Sequence, residues 1–152
     1  SQSKYLTQAA IIAALYIALT FIPYLLSYGL LQVRISEALT VLPAFTPAAI
    51  PGLFVGCLIS NLLGPNGTID VLAGSAATLL AAILSRRIKN KWLVPLPPVL
   101  INAVVVGFVL NQVYNEPLLI AMLAILAGQA VACYGLGIPL YILLDRNRNK
   151  IF

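Results

Sequence analysis

Charged side chains are scarce in this sequence. Only 9% of the 152 residues are charged, whereas 61% are hydrophobic and the mean hydropathy is +1.00. An average soluble domain has about 25% charged residues, so this chain lacks the polar side chains that a water-facing surface needs. The composition excludes a soluble globular domain, and we predict an all-α integral membrane protein.

Histidine is absent, and the two cysteines, Cys57 and Cys133, both lie inside apolar runs. Metal sites of the zinc type need clusters of these residues, and histidine is the commonest general base in enzymes. We therefore expect no metal, no cofactor and no enzymatic active site. Six crossings of about 20 residues each would leave no space here for an ATPase domain, so energy would come from a gradient or a partner protein.

The apolar residues form six segments separated by proline, glycine and charged residues. We predict one domain over residues 1–152, a six-helix bundle with a short second helix. Ten residues of α-helix rise only about 15 Å, half of a bilayer core of roughly 30 Å. The second segment must therefore be extended by residues 30–33, lie in a thinned region or not cross fully. The segments run from Tyr5 to Ile22, about Ser36 to Phe45, about Ala48 to Leu63, Ile69 to Leu84, roughly Leu93 to Val113, and Leu118 to Leu144.

The basic residues indicate how these segments are oriented. If all six cross and the amino terminus lies inside, eight of the nine basic residues fall on the inner side, and Arg34 and three of the four acidic residues fall outside. This distribution follows the positive-inside rule. We predict six crossings with both termini in the cytoplasm, and we interpret the basic clusters as topology signals, not as a nucleic-acid site. The inner residues are Lys4, Arg86, Arg87, Lys89, Lys91, Arg146, Arg148 and Lys150.

Small residues recur at a spacing of four, which is typical of close helix packing in lipid. The third segment has such a stripe at Gly52, Gly56, Ser60 and Gly64, and we predict that it packs inside the bundle. The first segment has another, which could pack internally or provide a flat docking face for a second membrane protein. The sequence leaves both possibilities open for this stripe, which consists of Ala10, Ala14 and Ala18.

Polar side chains at bilayer depth are costly, so each one is a functional candidate. On the six-segment arrangement most of them lie towards the outer ends, and the inner halves have few. We predict a substrate pocket that is open to the outside. Its candidate residues are Arg34, Glu37, Asn61, Asp70, Asn102 and Gln129.

Some of these residues also have a purely structural interpretation. Arg34 and Glu37 are three residues apart and could pair with each other. Asp70 lies at a helix start, where a carboxylate complements the helix dipole. Asn102 and Gln129 could form a hydrogen bond between neighbouring helices.

Several runs of this sequence resemble the QueT family. They are VRISEALTVLP at 33–43, IPGLFVGC at 50–57 and NLLG at 61–64, and the likeness continues to GIPL at 137–140. The first run is fairly specific, whereas an alanine-rich first helix is general among related proteins. Members of this family are substrate-binding S components of energy-coupling factor (ECF) transporters, assigned to queuosine precursors.

The resemblance implies a six-helix S-component fold in a bacterial cell membrane, as a multi-pass protein. It also implies three partner chains, a transmembrane coupling protein and two cytoplasmic ATPases. In similar S components an AxxxA motif on the first helix docks on the coupling protein. Ala10 and Ala14 match this motif best, and Ala18 extends it, so the resemblance favours docking for this stripe.

A 7-substituted 7-deazaguanine is the ligand that the resemblance implies. Its guanine-like edge has adjacent donors that a carboxylate can accept, and we expect Glu37 or Asp70 to bind them. Asn102 and Gln129 would satisfy the other heteroatoms, and Asn61 would help to close the site. Arg34 would disfavour a cationic ligand unless Glu37 neutralises it.

A stand-alone gradient-driven transporter is the main alternative. Such a protein needs a titratable or ion-binding group deep in the bundle. All four acidic residues map near the ends of predicted helices or in loops, so the sequence favours the S component.

Overall fold

A computed structural model describes residues 2–22, 35–64 and 68–151. These residues form helices and turns, with no strand among them, so the all-α prediction is confirmed. We number the α-helices in chain order and name the 3₁₀ helix separately. They are α1 (Gln2–Phe21), the 3₁₀ helix (Ile35–Ala44), α2 (Ala49–Leu63), α3 (Thr68–Arg87), α4 (Leu96–Tyr114), α5 (Leu118–Arg146) and the short α6 (Arg148–Ile151). Within α5, Val131–Leu136 is π-helical.

The first three elements run in alternating directions. The hydroxyls of Thr20 and Ser36 are 2.7 Å apart, so the 3₁₀ helix starts beside the end of α1. Thr46, just after the 3₁₀ helix, donates a 2.7 Å hydrogen bond to Gln8 Oε1 near the start of α1. The 3₁₀ helix is therefore antiparallel to α1, and α2 begins at the end of the bundle where α1 also begins.

That end of the bundle collects basic residues, and we call it the basic end. Arg86, in the last turn of α3, donates a 3.1 Å hydrogen bond to the carbonyl oxygen of Pro43. The guanidinium of Arg148 lies 4.8 Å from the centroid of the Phe45 ring. Cations from two distant parts of the sequence thus meet at the carboxyl end of the 3₁₀ helix. The assignment of this end to the cytoplasm stays a prediction.

Three helices of the described residues are long and apolar enough to cross a membrane: α1, α4 and α5. The 3₁₀ helix and α2 are apolar but shorter. The described structure therefore supports three candidate spans, and the count of six crossings stays a prediction.

The second predicted segment forms the 3₁₀ helix, and its side chains from Ser36 to Pro43 are all buried. It packs against α1, α3 and α5. A 3₁₀ helix rises about 2 Å per residue, so ten residues extend roughly 20 Å, more than an α-helix would. Irregular backbone is tolerated at membrane depth where protein surrounds it, which explains how so short a segment fits inside the bundle.

Helices α1 and α2 pack closely through two glycines. A Cβ atom on Gly52 would lie 2.9 Å from the carbonyl oxygen of Ala9, and one on Gly56 would lie 2.8 Å from Tyr16 Cβ. Ser60 continues the same buried face. The predicted internal packing is thus confirmed for this part of the stripe.

Candidate functional site

Glu37 is a buried carboxylate at the start of the 3₁₀ helix, with 2% of its surface exposed. Its Oε1 atom accepts a 2.5 Å hydrogen bond from the hydroxyl of Tyr16, which is fully buried on α1. Burying a carboxylate is costly unless hydrogen bonds compensate. The fold therefore provides Glu37 with a donor from a neighbouring helix.

Asn102 on α4 and Gln129 on α5 form a second buried pair. Asn102 Nδ2 donates a 3.1 Å hydrogen bond to Gln129 Oε1, and both side chains are at most 3% exposed. The interhelical hydrogen bond that the sequence left open is thus present. It does not use the Asn102 carbonyl oxygen or the Gln129 amide nitrogen.

Thr40 and Cys133 connect the two pairs. The Thr40 hydroxyl lies 2.6 Å from the Glu37 carbonyl oxygen and 3.6 Å from Cys133 Sγ. Cys133 Sγ in turn lies 3.6 Å from Gln129 Oε1. The π-helical stretch of α5 carries Cys133, and π-helical turns are frequent at functional sites. We call the connected set the polar cluster: Tyr16, Glu37, Thr40, Asn102, Gln129 and Cys133.

A crevice borders the polar cluster at Glu37, Thr40 and Asn102, and Thr78 of α3 completes its polar lining. Leu53, Ala81, Ala82 and Pro98 form its apolar walls. Its volume for a water-sized sphere is about 0 Å³, so the crevice is closed in this conformation. A bicyclic ligand would require the surrounding helices to separate.

The cluster has hydrogen-bonding capacity that its internal bonds do not use. An ionised carboxylate offers about four acceptor positions, and the Tyr16 hydroxyl occupies one of them at Glu37. Asn102 and Gln129 can add one acceptor and two donors, because the hydrogen bonds between described residues do not engage the Asn102 carbonyl oxygen or the Gln129 amide nitrogen. Such a set can bind a flat heterocycle that has donors on one edge and a carbonyl elsewhere.

Asn61 lies outside this crevice. Its Nδ2 atom is 3.4 Å from Cys57 Sγ, one turn earlier on α2, and the Thr78 hydroxyl is 3.2 Å from the same sulfur. Asn61 thus reaches the crevice lining through Cys57 and Thr78. The structure brings Glu37, Asn102 and Gln129 together, whereas Asn61 lies behind the crevice lining, next to Cys57.

Two predicted site residues are not positioned by the structure. Arg34 lies outside the described residues, and so does its predicted pairing with Glu37. Asp70 belongs to the first turn of α3, but its side chain is not described. Residues 23–34 and 65–67 also lie outside the described residues, and the outward opening of the pocket stays a prediction.

The sequence reasoning missed four residues of this region: Tyr16, Thr40, Thr78 and Cys133. Tyr16 and Thr20 are four residues apart on α1, and both are buried. This polar pair in the otherwise apolar second half of α1 was the available signal for Tyr16. Thr40 and Cys133 carried no comparable signal, because threonine and cysteine are common in helix interiors.

The three alanines of the candidate docking stripe are exposed on α1, whereas Ala13 is buried against α2. Ala10, Ala14 and Ala18 therefore do not pack within the described part of the bundle. Docking of this stripe on a partner protein stays a prediction.

Comparison with known proteins agrees with the resemblance. The family model described as QueT transporter matches residues 6–146. A curated relative, Queuosine precursor transporter QueT of Lactococcus lactis subsp. cremoris (strain MG1363), is 39% identical over 89 residues, which are 55% of this chain and 52% of that protein. The match thus spans about half the length of the relative, and no solved structure matches the chain. Because the family model covers nearly the whole sequence, the chain belongs to the QueT transporter family.

Proposed function

We propose that this chain is the substrate-binding S component of an ATP-driven importer and captures a queuosine precursor of the 7-deazaguanine type. The observation that carries the proposal is the polar cluster, which is buried where α1, the 3₁₀ helix, α4 and α5 meet. Polar groups are expensive at this depth, and a ligand that pairs with them explains their presence. The name of the curated relative supplies the substrate class.

Glu37 is the residue that binds the donor edge of the ligand. A guanine-like edge presents a ring N–H beside an amino group, and a carboxylate accepts both. A carboxylate offers about four acceptor positions, and the Tyr16 hydroxyl occupies one of those of Glu37. The Gln129 amide nitrogen then donates to the ring carbonyl, and the Asn102 carbonyl accepts from a remaining ring N–H or from a substituent.

Ligand binding requires the closed crevice to open. The walls are Leu53 of α2, Ala81 and Ala82 of α3, and Pro98 of α4. Two of these residues are alanines, so a small separation of α3 from the 3₁₀ helix admits a flat ring. Closure around the bound ring removes water, which strengthens its hydrogen bonds with Glu37.

The proposal is tested by calorimetry, which measures the Kd of a 7-deazaguanine for the purified protein and for its Glu37→Gln variant. Hydrogen bonds to a charged group contribute about 1.5–3 kcal/mol, so Kd should rise about 10- to 150-fold. Glu116→Gln is the matched control, since Glu116 lies at the loop before α5. Unchanged binding in Glu37→Gln contradicts the assignment of Glu37.

The proposed partners are a transmembrane coupling protein and two cytoplasmic ATPases. The described residues include three candidate spans, and one of them, α1, has an exposed stripe of small residues. Small residues allow two helix backbones to approach closely in lipid, where no hydrophobic force drives helices together. The stripe suits a partner helix, and the proposed location is the bacterial plasma membrane.

One observation favours a second function, that of a gradient-driven transporter. The sequence mapped all four acidic residues near helix ends, yet the structure buries Glu37 within the bundle. A buried titratable group is what a proton-coupled transporter needs. Uptake of the substrate by vesicles that contain this chain alone, driven by a pH gradient without ATPases, would favour this function over the S component.

A further inference from the structure

A second concave surface lies between α1, the 3₁₀ helix and α5. It is a groove of about 310 Å³, and it shares no residue with the polar cluster. Gln8 is its one polar lining residue among the described residues, and the rest are isoleucine and leucine. The groove therefore accepts an apolar occupant with a polar end near Gln8.

The dimensions of the groove fit an acyl chain. On α1 the lining runs from Gln8 to Leu15, seven residues that rise about 10 Å. One leaflet of a bilayer core is roughly 15 Å thick, so the groove covers most of one acyl chain.

The Gln8 end of the groove lies at the basic end of the bundle. Thr46 donates its 2.7 Å hydrogen bond to Gln8 there, and Lys4 precedes Gln8 by one turn on the same face of α1. The Arg148 guanidinium lies over the ring of Phe45, the residue before Thr46.

Positive charge dominates this end. Arg86 reaches the carbonyl oxygens of Pro43 and Ala44 at 3.1 and 3.4 Å. One carboxylate is also near, because Asp145 lies 3.3 Å from Arg148 in an exposed pair. Lys4, Arg86 and Arg148 thus outnumber the one carboxylate described near them, and this excess of positive charge complements a phosphate.

We propose that this groove binds an anionic phospholipid, with one acyl chain between Leu15, Leu39 and Leu140 and the phosphate near Lys4, Arg86 and Arg148. The groove adjoins the alanine stripe on α1, since Ile11 and Leu15 alternate with Ala10 and Ala14 along the helix. A bound lipid thus forms one border of the candidate docking face. The proposal is independent of the substrate and partners proposed above.

The test uses nanodiscs of phosphatidylglycerol and phosphatidylcholine in equal amounts with identical acyl chains. After mild extraction of the full chain, native mass spectrometry counts the lipids that stay bound. Each cation near the phosphate is expected to favour phosphatidylglycerol about fivefold. Retention of the two lipids in the bulk ratio overturns the proposal.

Two kinds of variant test the binding of the acyl chain and the binding of the headgroup separately. Leu15→Trp fills the groove and should reduce the retained lipid to the level of nonspecific adducts, whereas Leu119→Trp, on an exposed position of α5, should not. Arg148→Gln should lower the preference for phosphatidylglycerol about fivefold. Lys91→Gln is its control, because the Lys91 amine lies over the Trp92 ring at 5.4 Å.

If Leu15→Trp does not fold, Arg148→Gln still tests the proposal, because Arg148 is exposed and its replacement should leave the fold intact. An unchanged preference in Arg148→Gln overturns the headgroup site. Unchanged lipid retention in a folded Leu15→Trp protein overturns the groove. If that variant instead loses a co-purified coupling protein while it retains lipid, the groove is a protein interface and the proposal is wrong.

Discussion

The hydroxyl of Tyr16 donates a 2.5 Å hydrogen bond to Glu37 Oε1, and both side chains are buried. This bond joins α1 to the 3₁₀ helix at the polar cluster. The same turns of α1 carry Ala14 and Ala18 on their exposed face. One helical segment therefore contacts the candidate ligand site on one side and forms the candidate docking face on the other.

Replacing Tyr16 by phenylalanine removes the donor to Glu37 and keeps the ring. We expect the free energy of unfolding to fall by about 2 kcal/mol, because hydrogen bonds to charged groups contribute about 1.5–3 kcal/mol. The Kd for a 7-deazaguanine should rise about tenfold, since the carboxylate loses its orientation. Chemical denaturation and calorimetry measure the two effects. Tyr5→Phe, at an exposed position of α1, should change neither.

Gly56→Ala tests the close packing of α1 on α2. The new Cβ atom would lie 2.8 Å from Tyr16 Cβ and 3.1 Å from the Ala13 carbonyl oxygen. Overpacking of this kind costs about 1–3 kcal/mol, so the thermal midpoint in detergent should fall.

Gly135→Ala is the matched control for that substitution. A Cβ atom there meets nothing within 4 Å. Alanine is also the better helix former, by up to about 1 kcal/mol. An equal loss of stability in both variants would show that steric contact with α1 does not explain the effect at Gly56.

Most helix boundaries could be predicted from the sequence because proline, glycine and charge interrupt the apolar runs. The third segment was expected from about Ala48, and α2 begins at Ala49. The fourth was expected to end at Leu84, yet α3 continues to Arg87. Helical hydrogen bonding does not stop where apolar residues stop, so polar residues extend the helix beyond the apolar surface.

The candidate site could be predicted in part. Glu37, Asn102 and Gln129 stand out because a polar side chain inside an apolar run is costly and needs a partner. The roles of Tyr16 and Thr40 depend on which elements pack together, and the only sequence signal for either was the position of Tyr16 one turn before Thr20. The 3₁₀ geometry of residues 35–44 and their burial among α1, α3 and α5 were also beyond sequence reasoning, since the sequence does not show which elements surround this segment.

The Asn102–Gln129 hydrogen bond should appear as a coupling energy in a double-mutant cycle. We expect Asn102→Ala and Gln129→Ala to couple by about 0.6–1.7 kcal/mol, the range for hydrogen bonds between membrane helices. Denaturation of the two single variants and the double variant measures this energy. Asn111→Ala replaces Asn102→Ala in the control cycle, because Asn111 bonds to the Glu116 carbonyl instead. A coupling near zero in the first cycle would mean that the bond contributes nothing to stability.

Ala14→Leu tests whether the exposed stripe on α1 is a docking face. A larger side chain in a close helix interface costs about 1–3 kcal/mol, so the affinity for the coupling protein should fall about 5- to 150-fold. Because Ala14 is exposed, the chain itself should fold normally and bind a 7-deazaguanine as before. Co-purification from a strain that expresses the coupling protein and its ATPases measures the loss. Ala76→Leu, at an exposed alanine of α3, is the control and should leave the complex intact. Full recovery of the complex with Ala14→Leu would show that the partner binds another face of the bundle.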